Sequence, residues 1–153
     1  MDEEYDYIKS KNVEELVKII EDFNDMDATT EAMLELWDRD EEIALEMGIK
    51  LLKCNEGDEY FQATIFDIIY DLDFDKVLEC ISNRNHNIGG YLLKEIIKKM
   101  TDYSKYKFIP KVDFVPKYVD YIVKQHGQLD SIEKQKVSEC YNEFVNEFKV
   151  MDE

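Results

Sequence analysis

Two stretches of the chain repeat one pattern 33 residues apart, and this internal repeat restricts the fold more than any other feature. Leu36 to Met47 reads LWDRDEEIALEM, and Ile69 to Cys80 reads IYDLDFDKVLEC. At that offset Leu36 matches Ile69, Trp37 matches Tyr70, Asp38 matches Asp71, Asp40 matches Asp73, Leu45 matches Leu78 and Glu46 matches Glu79. In each copy an apolar helical stripe ends in an aromatic, a tight turn carries two aspartates, and a second helical stripe begins. A period of this length with a helix-turn-helix layout points to stacked helix pairs, each burying its apolar face against its neighbours. The expected fold is all-α, a helical-hairpin α-solenoid of about eight helices.

Helical periodicity extends along the whole chain. Val13, Leu16, Val17, Ile20 and Phe23 share one face, and Asn12 with Glu15 forms a capping-box start. The spacing predicts helices from Thr30 to about Trp37 and from Asp40 to Cys54, the latter with Ile43, Ala44, Met47 and Leu51 inward. Asn55-Glu56-Gly57-Asp58 reads as a stop and restart, with Gly57 in a left-handed turn and Asp58 as the next cap. Stripes follow at Phe61, Ile65, Ile68, Ile69 and Leu72, then at Phe74, Val77, Leu78 and Ile81, then at Ile88, Tyr91, Leu92, Ile96 and Met100. Lys107 to Val115, which holds Pro110 and is followed by Pro116, is the one stretch expected to be extended; Pro116 suits a first helical turn. The last helix is expected near Asp130, paired with Glu133, and buries Val137, Cys140, Tyr141, Phe144 and Phe148. A third copy of the repeat would put Tyr103 opposite Tyr70, but Ser104 and Lys105 break the acidic turn, as expected of a divergent end repeat. The tyrosine-rich segment Tyr103 to Tyr121 reads either as an irregular cap over the core or as an interface.

A chain of 153 residues fits a single domain with its own core, and residues 1–153 are read as one all-helical domain. Charge divides it unevenly. Residues 1–79 hold 25 acids and 7 bases, a net of −18, whereas residues 80–153 hold 11 acids and 12 bases, a net of +1. The whole carries −17 with a pI near 4.4, which opposes direct contact with a phosphate backbone. Hydrophobic residues at 44% are too many for a disordered acidic tail. No apolar run reaches the roughly 20 residues a membrane span needs, and the N-terminus MDEEYDYIKSK lacks a signal peptide's basic start, so a cytoplasmic protein is expected. Cys54, Cys80 and Cys140 sit in apolar helical patterns with no second ligand at metal spacing and read as reduced core thiols.

Motifs that carry chemistry are weak. Asp71, Asp73 and Asp75 have the alternate-residue spacing that opens a calcium loop, but Lys76 stands where the loop needs glycine and Ser82 where it needs a bidentate glutamate. Gly89-Gly90 lacks the strand and the Lys-Ser/Thr of a phosphate loop. His86 and His126 fall at helix edges as surface or capping groups, without a serine or cysteine placed for nucleophilic work. No enzyme activity, metal or cofactor is expected. What remains is a surface: Asp38, Asp40, Glu41, Glu42 and Glu46 together with Asp71, Asp73, Asp75 and Glu79, which stacking of the two copies would set side by side. Trp37 and Tyr70 either anchor that surface or belong to the core. Asp40 and Asp73 also have a plain local task, capping the helix that follows each of them.

The segments LWDRDEEIALEMGIKLL and QATIFDIIYDLDFDKVLECI, in a small acidic all-helical chain with degenerate HEAT-like pairs, resemble the immunity proteins of contact-dependent growth inhibition and related polymorphic toxin systems. The likeness covers about residues 28–100 and is one of texture, not of a diagnostic motif. It implies a cytosolic protein that binds and blocks a cognate toxin domain delivered by a sister cell, commonly an RNase or DNase with a basic groove. It transfers no binding residues, so the acidic positions rest on charge alone. Two other functions stay open on the residues: a HEAT-like adaptor with a concave apolar groove and salt-indifferent binding, and an enzyme using a carboxylate pair with a divalent ion.

Overall fold

A computed structural model describes residues 7–106 and 116–150, and all their regular secondary structure is helical, with no strand among them. After a helical turn at residues 7–9 come α1 (Val13–Asp22), α2 (Met26–Arg39), α3 (Glu41–Lys53), α4 (Glu59–Ile69), α5 (Phe74–Ser82), α6 (Gly90–Tyr106), α7 (Pro116–Gly127) and α8 (Ser131–Phe148). The expected extended stretch from Lys107 to Val115 lies outside the described residues.

Most helix starts are set by one side chain. The Asn12 side chain accepts from the Glu15 amide at 2.8 Å, and the Glu15 carboxylate accepts from the Asn12 amide at 3.1 Å, which completes the capping box of α1. Asp25 accepts from the Asp27 amide, Asp58 from Phe61 and Asp130 from Glu133, each at 2.8 Å. Such caps satisfy backbone donors that the helix itself leaves unpaired, each contributing about 1 kcal/mol. Asp25 also corrects the expected start of the second helix, which begins at Met26 and not Thr30; Thr29 and Thr30 turn their hydroxyls back to the carbonyls of Asp25 and Met26 within it. Between α3 and α4 the backbone turns left-handed twice, at Asn55 (φ 54) and Gly57 (φ 73).

The chain forms two compact units, Met1–Ile81 and Ser82–Glu153. In the first, α1 packs on α2, α2 on α3 and on α4, and α3 on α4. Leu16, Ile20, Ala32, Met33, Leu36, Ala44, Leu52, Ile65, Phe66 and Ile69 are among its fully buried side chains, with Phe74, Val77, Leu78 and Ile81 of α5. Gly48 lets α3 lie this close. A Cβ there would stand 2.7 and 2.8 Å from two carbons of Ile69 and 3.2 Å from the Met33 methyl. The turn at residues 7–9 is held by Arg39, whose guanidinium donates to the carbonyls of Lys9 and Lys11 while its Nε donates to Glu35 at 2.9 Å. Glu35 is itself buried, so this pairing keeps a charge in the interior compensated.

In the second unit α6 packs on α7 and α8. Leu92, Leu93, Ile96, Ile97 and Met100 of α6 are buried, as are Tyr118 and Ile122 of α7 and Val137 and Phe144 of α8. The buried Gln125 side chain accepts from the Ile88 amide at 2.9 Å, which fixes the approach to α6. Tyr103 is buried within α6, and the helix runs on through Ser104 and Lys105 with no acidic turn at that point. Ser104 donates instead to Glu147 of α8 at 2.8 Å.

Candidate functional site

The acidic positions singled out by the repeat fall at two helix junctions of the first unit. One residue, Asp40, links α2 to α3, and its carboxylate accepts from the Ile43 amide at 3.2 Å. Asp73 stands just before α5 and accepts from the Lys76 amide at 3.1 Å. Both aspartates therefore cap the following helix in the same register, the local role that their matched positions predict. Around them Asp38, Glu41, Glu42 and Glu46 of the first copy are exposed, and so are Asp71, Asp73, Asp75 and Glu79 of the second; Asp40 is half-buried.

The open alternatives for the two aromatics resolve differently. Trp37 is 38% exposed at the C-terminal end of α2, a large ring facing water. Tyr70, its partner in the repeat, is half-buried with its ring 5.8 Å from that of Phe66. Matched sequence positions thus carry one exposed aromatic and one that is half-buried against Phe66.

Other exposed apolar groups of this unit lie on helix faces that the junction pattern does not mark. Leu34 on α2 is 50% exposed and Tyr60 on α4 is 64% exposed. Leu34 precedes Trp37 by three residues, so the two lie on adjacent turns of one face. On α4 only Tyr60 and Asp67 are exposed, two turns apart, while the remainder of that helix is buried or half-buried. The signal for them was present as phase: Leu34 falls off the stripe of Ala32, Met33 and Leu36, and Tyr60 falls off that of Phe61, Ile65 and Ile68.

The cysteines and histidines are placed unevenly. Cys140 is buried, and that burial pushes its thiol up, away from the reactive thiolate. Cys80 is half-buried, but Cys54 is exposed at the end of α3, contrary to its expected core position, because the helix stops at Lys53 and the chain turns outward. All three are free thiols. Cys54 edges an open cleft of about 270 Å³ lined by Ile20, Phe23, Met47 and Leu51, with Glu21 and Lys50. His86 is exposed; His126, half-buried in the last turn of α7, has its ring flat on Tyr141 with centroids 3.5 Å apart and planes 3° from parallel. Burial, reinforced by the charge of Lys134, holds that imidazole below its ordinary value and so favours its neutral form. Among the described residues no three His, Cys, Asp or Glu side chains are arranged to hold a metal ion, and no helix is long and apolar enough to cross a membrane.

No protein-family model, curated protein or solved structure matches the chain. The chemistry available to the site is therefore that of its own residues: fixed carboxylates at two capped helix junctions and apolar side chains exposed on the neighbouring helices.

Proposed function

We propose that this chain is a non-enzymatic inhibitor, an immunity protein that binds and neutralises a cognate bacterial toxin domain, a basic RNase or DNase, in the cytoplasm. The observation that carries the reading is charge placed at the surface. Residues 1–79 hold a net −18, and eight of the nine junction acids are exposed. A field of this size raises the encounter rate with a cationic surface and rejects nucleic acid, so such a protein competes for a nuclease's basic groove without binding the nuclease's substrate. The 33-residue offset, the matched caps at Asp40 and Asp73, and the packing of α2 with both α3 and α4 support a HEAT-like pairing of α2 with α3, with α4 as the first helix of the next pair in a short solenoid. Such stacking brings the two acidic junctions together as one ridge.

The test is neutralisation. Reading frames beside the gene are expressed alone and together with this protein, and growth and nucleic-acid degradation are followed. The reading requires a neighbour whose product is toxic alone, harmless in company, and released from the tagged protein as salt rises. A neighbour that is harmless alone, or toxic in both settings, sinks it. Retention that ignores salt favours the adaptor instead.

A further inference from the structure

We infer that the docking surface centres on the outer face of α2 and α4, with Leu34, Trp37 and Tyr60 as anchors and Asp38, Asp67 and Asp71 around them, and that it receives a protein surface whose apolar centre is ringed by lysine and arginine. This deepens the inhibitor reading and rests on it for the partner's source.

Four observations lead there. First, α2 packs directly on α4 within one compact unit, and Leu34 with Trp37 on α2 and Tyr60 with Asp67 on α4 are each exposed along their own helix. Second, these strips carry large apolar side chains at 50%, 38% and 64% exposure for Leu34, Trp37 and Tyr60, whereas Met33, Leu36, Ile65 and Phe66 of the same helices are at 0%; Met26, at the first position of α2, is exposed like Trp37. Third, Asp38, next to Trp37 in the chain, Asp67, two turns along α4 from Tyr60, and Asp71, just past the end of α4, are exposed. Apolar anchors at the centre with charge at the rim is the composition in which desolvation supplies affinity and carboxylates supply steering. Fourth, part of the junction ridge is already engaged: Asp40 and Asp73 cap helices, and Tyr70 lies on Phe66. The centre of binding therefore shifts from the junctions to the helix faces beside them.

Charge selects the occupant. A second copy docking through the same face would set its own acidic half, net −18 over residues 1–79, against the first, and phosphate-bearing ligands or anionic lipid would be repelled in the same way. A basic protein surface is the complement. Leu34 and Tyr60 then enter its apolar pockets, and the aspartates face its guanidinium and ammonium groups.

The experiment uses the purified product of the neighbouring reading frame and measures binding kinetics with the full chain at low and high salt. Three double variants are compared: Leu34→Ser with Tyr60→Ser, Asp67→Lys with Asp71→Lys, and, as a control of equal charge change on α1, Glu14→Lys with Asp22→Lys. All six positions are exposed, and thermal unfolding checks that each variant is folded. The anchor variant is expected to raise the dissociation rate about 30-fold or more, at both salt concentrations. The ring variant is expected to slow association by about 10-fold or more at low salt, beyond the control, with the deficit shrinking as salt rises. Unchanged dissociation for the anchor variant, with ring and control variants alike, overturns this face while leaving the inhibitor reading intact. Loss of binding in the anchor and ring variants, with a partner that is not toxic, supports the face and removes the inhibitor reading. No binding by the unaltered chain removes both.

Discussion

Replacing Gly48 with alanine tests the packing of the first unit at its tightest point. In an exposed helix interior this change would stabilise by about 1 kcal/mol, because alanine loses less backbone entropy than glycine on entering a helix. At Gly48 the sign is expected to reverse. The added methyl would meet Ile69 Cδ1 at 2.7 Å and Ile69 Cγ2 at 2.8 Å. The first of these atoms ends a flexible arm, but Cγ2 is bonded to the branched Cβ and moves only if χ1 or the backbone of α4 moves with it. Ile69 is wholly buried, so neither movement is free. Overpacking of this kind costs about 1–3 kcal/mol. With two carbons inside contact distance the upper half of that range applies, and the helix gain leaves a net loss of about 1–2 kcal/mol. Urea unfolding followed by far-ultraviolet circular dichroism reads this directly. The sign should change again in a background where room exists. Ile69→Ala alone costs about 2–5 kcal/mol through the cavity it opens, and the methyl that Gly48→Ala adds then occupies part of that cavity, so Gly48→Ala should stabilise Ile69→Ala. A Gly48→Ala protein about 1 kcal/mol more stable than the unaltered chain would show that α3 and α4 do not approach as described.

Three further outcomes follow from local geometry. Asp40→Ala and Asp73→Ala should each lower stability by about 1 kcal/mol through loss of the cap, whereas Asp40→Asn and Asp73→Asn retain an accepting oxygen and should fall within a few tenths of the unaltered value; equal losses for alanine and asparagine would refute capping as their structural role. Arg39→Ala should cost about 1.5–3 kcal/mol by leaving Glu35 buried without its partner, and should speed amide exchange at residues 7–11; full rescue by Arg39→Lys would show that the two-armed guanidinium geometry is unnecessary. His126 binds its proton less tightly when folded, so its contribution to stability is present above the ordinary imidazole range near 6.5 and declines as pH falls from there through the lowered folded value. Urea midpoints of the chain and of His126→Phe should accordingly diverge above neutrality and converge toward pH 5, and a constant difference across that range would contradict a neutral, stacked imidazole.

Helix beginnings, the 33-residue repeat and the division of charge were all decided by the sequence alone, and for one reason: each depends on residues close together in the chain or on simple counts. A cap joins a side chain to an amide two or three residues on, so Asn12, Asp40, Asp58, Asp73 and Asp130 act as their spacing predicts. Asp25 obeys the same rule and starts α2 at Met26, ahead of the expected Thr30. What tertiary structure decided is which matched residues meet water. Trp37 and Tyr70 are equivalent in the repeat, yet one is exposed and the other is half-buried with its ring against Phe66, four residues earlier on its own helix, a difference that the matched positions do not carry. Cys54 leaves the core where α3 ends, His126 lies on a tyrosine 15 residues further along, and Arg39 reaches back 28 and 30 residues to two carbonyls. Leu34, Tyr60 and Asp67 belong to the same class. Their helical phase was legible, but the packing of α2 against α4 was not, because a contact between two helices is a property of the folded chain that neither helix encodes alone.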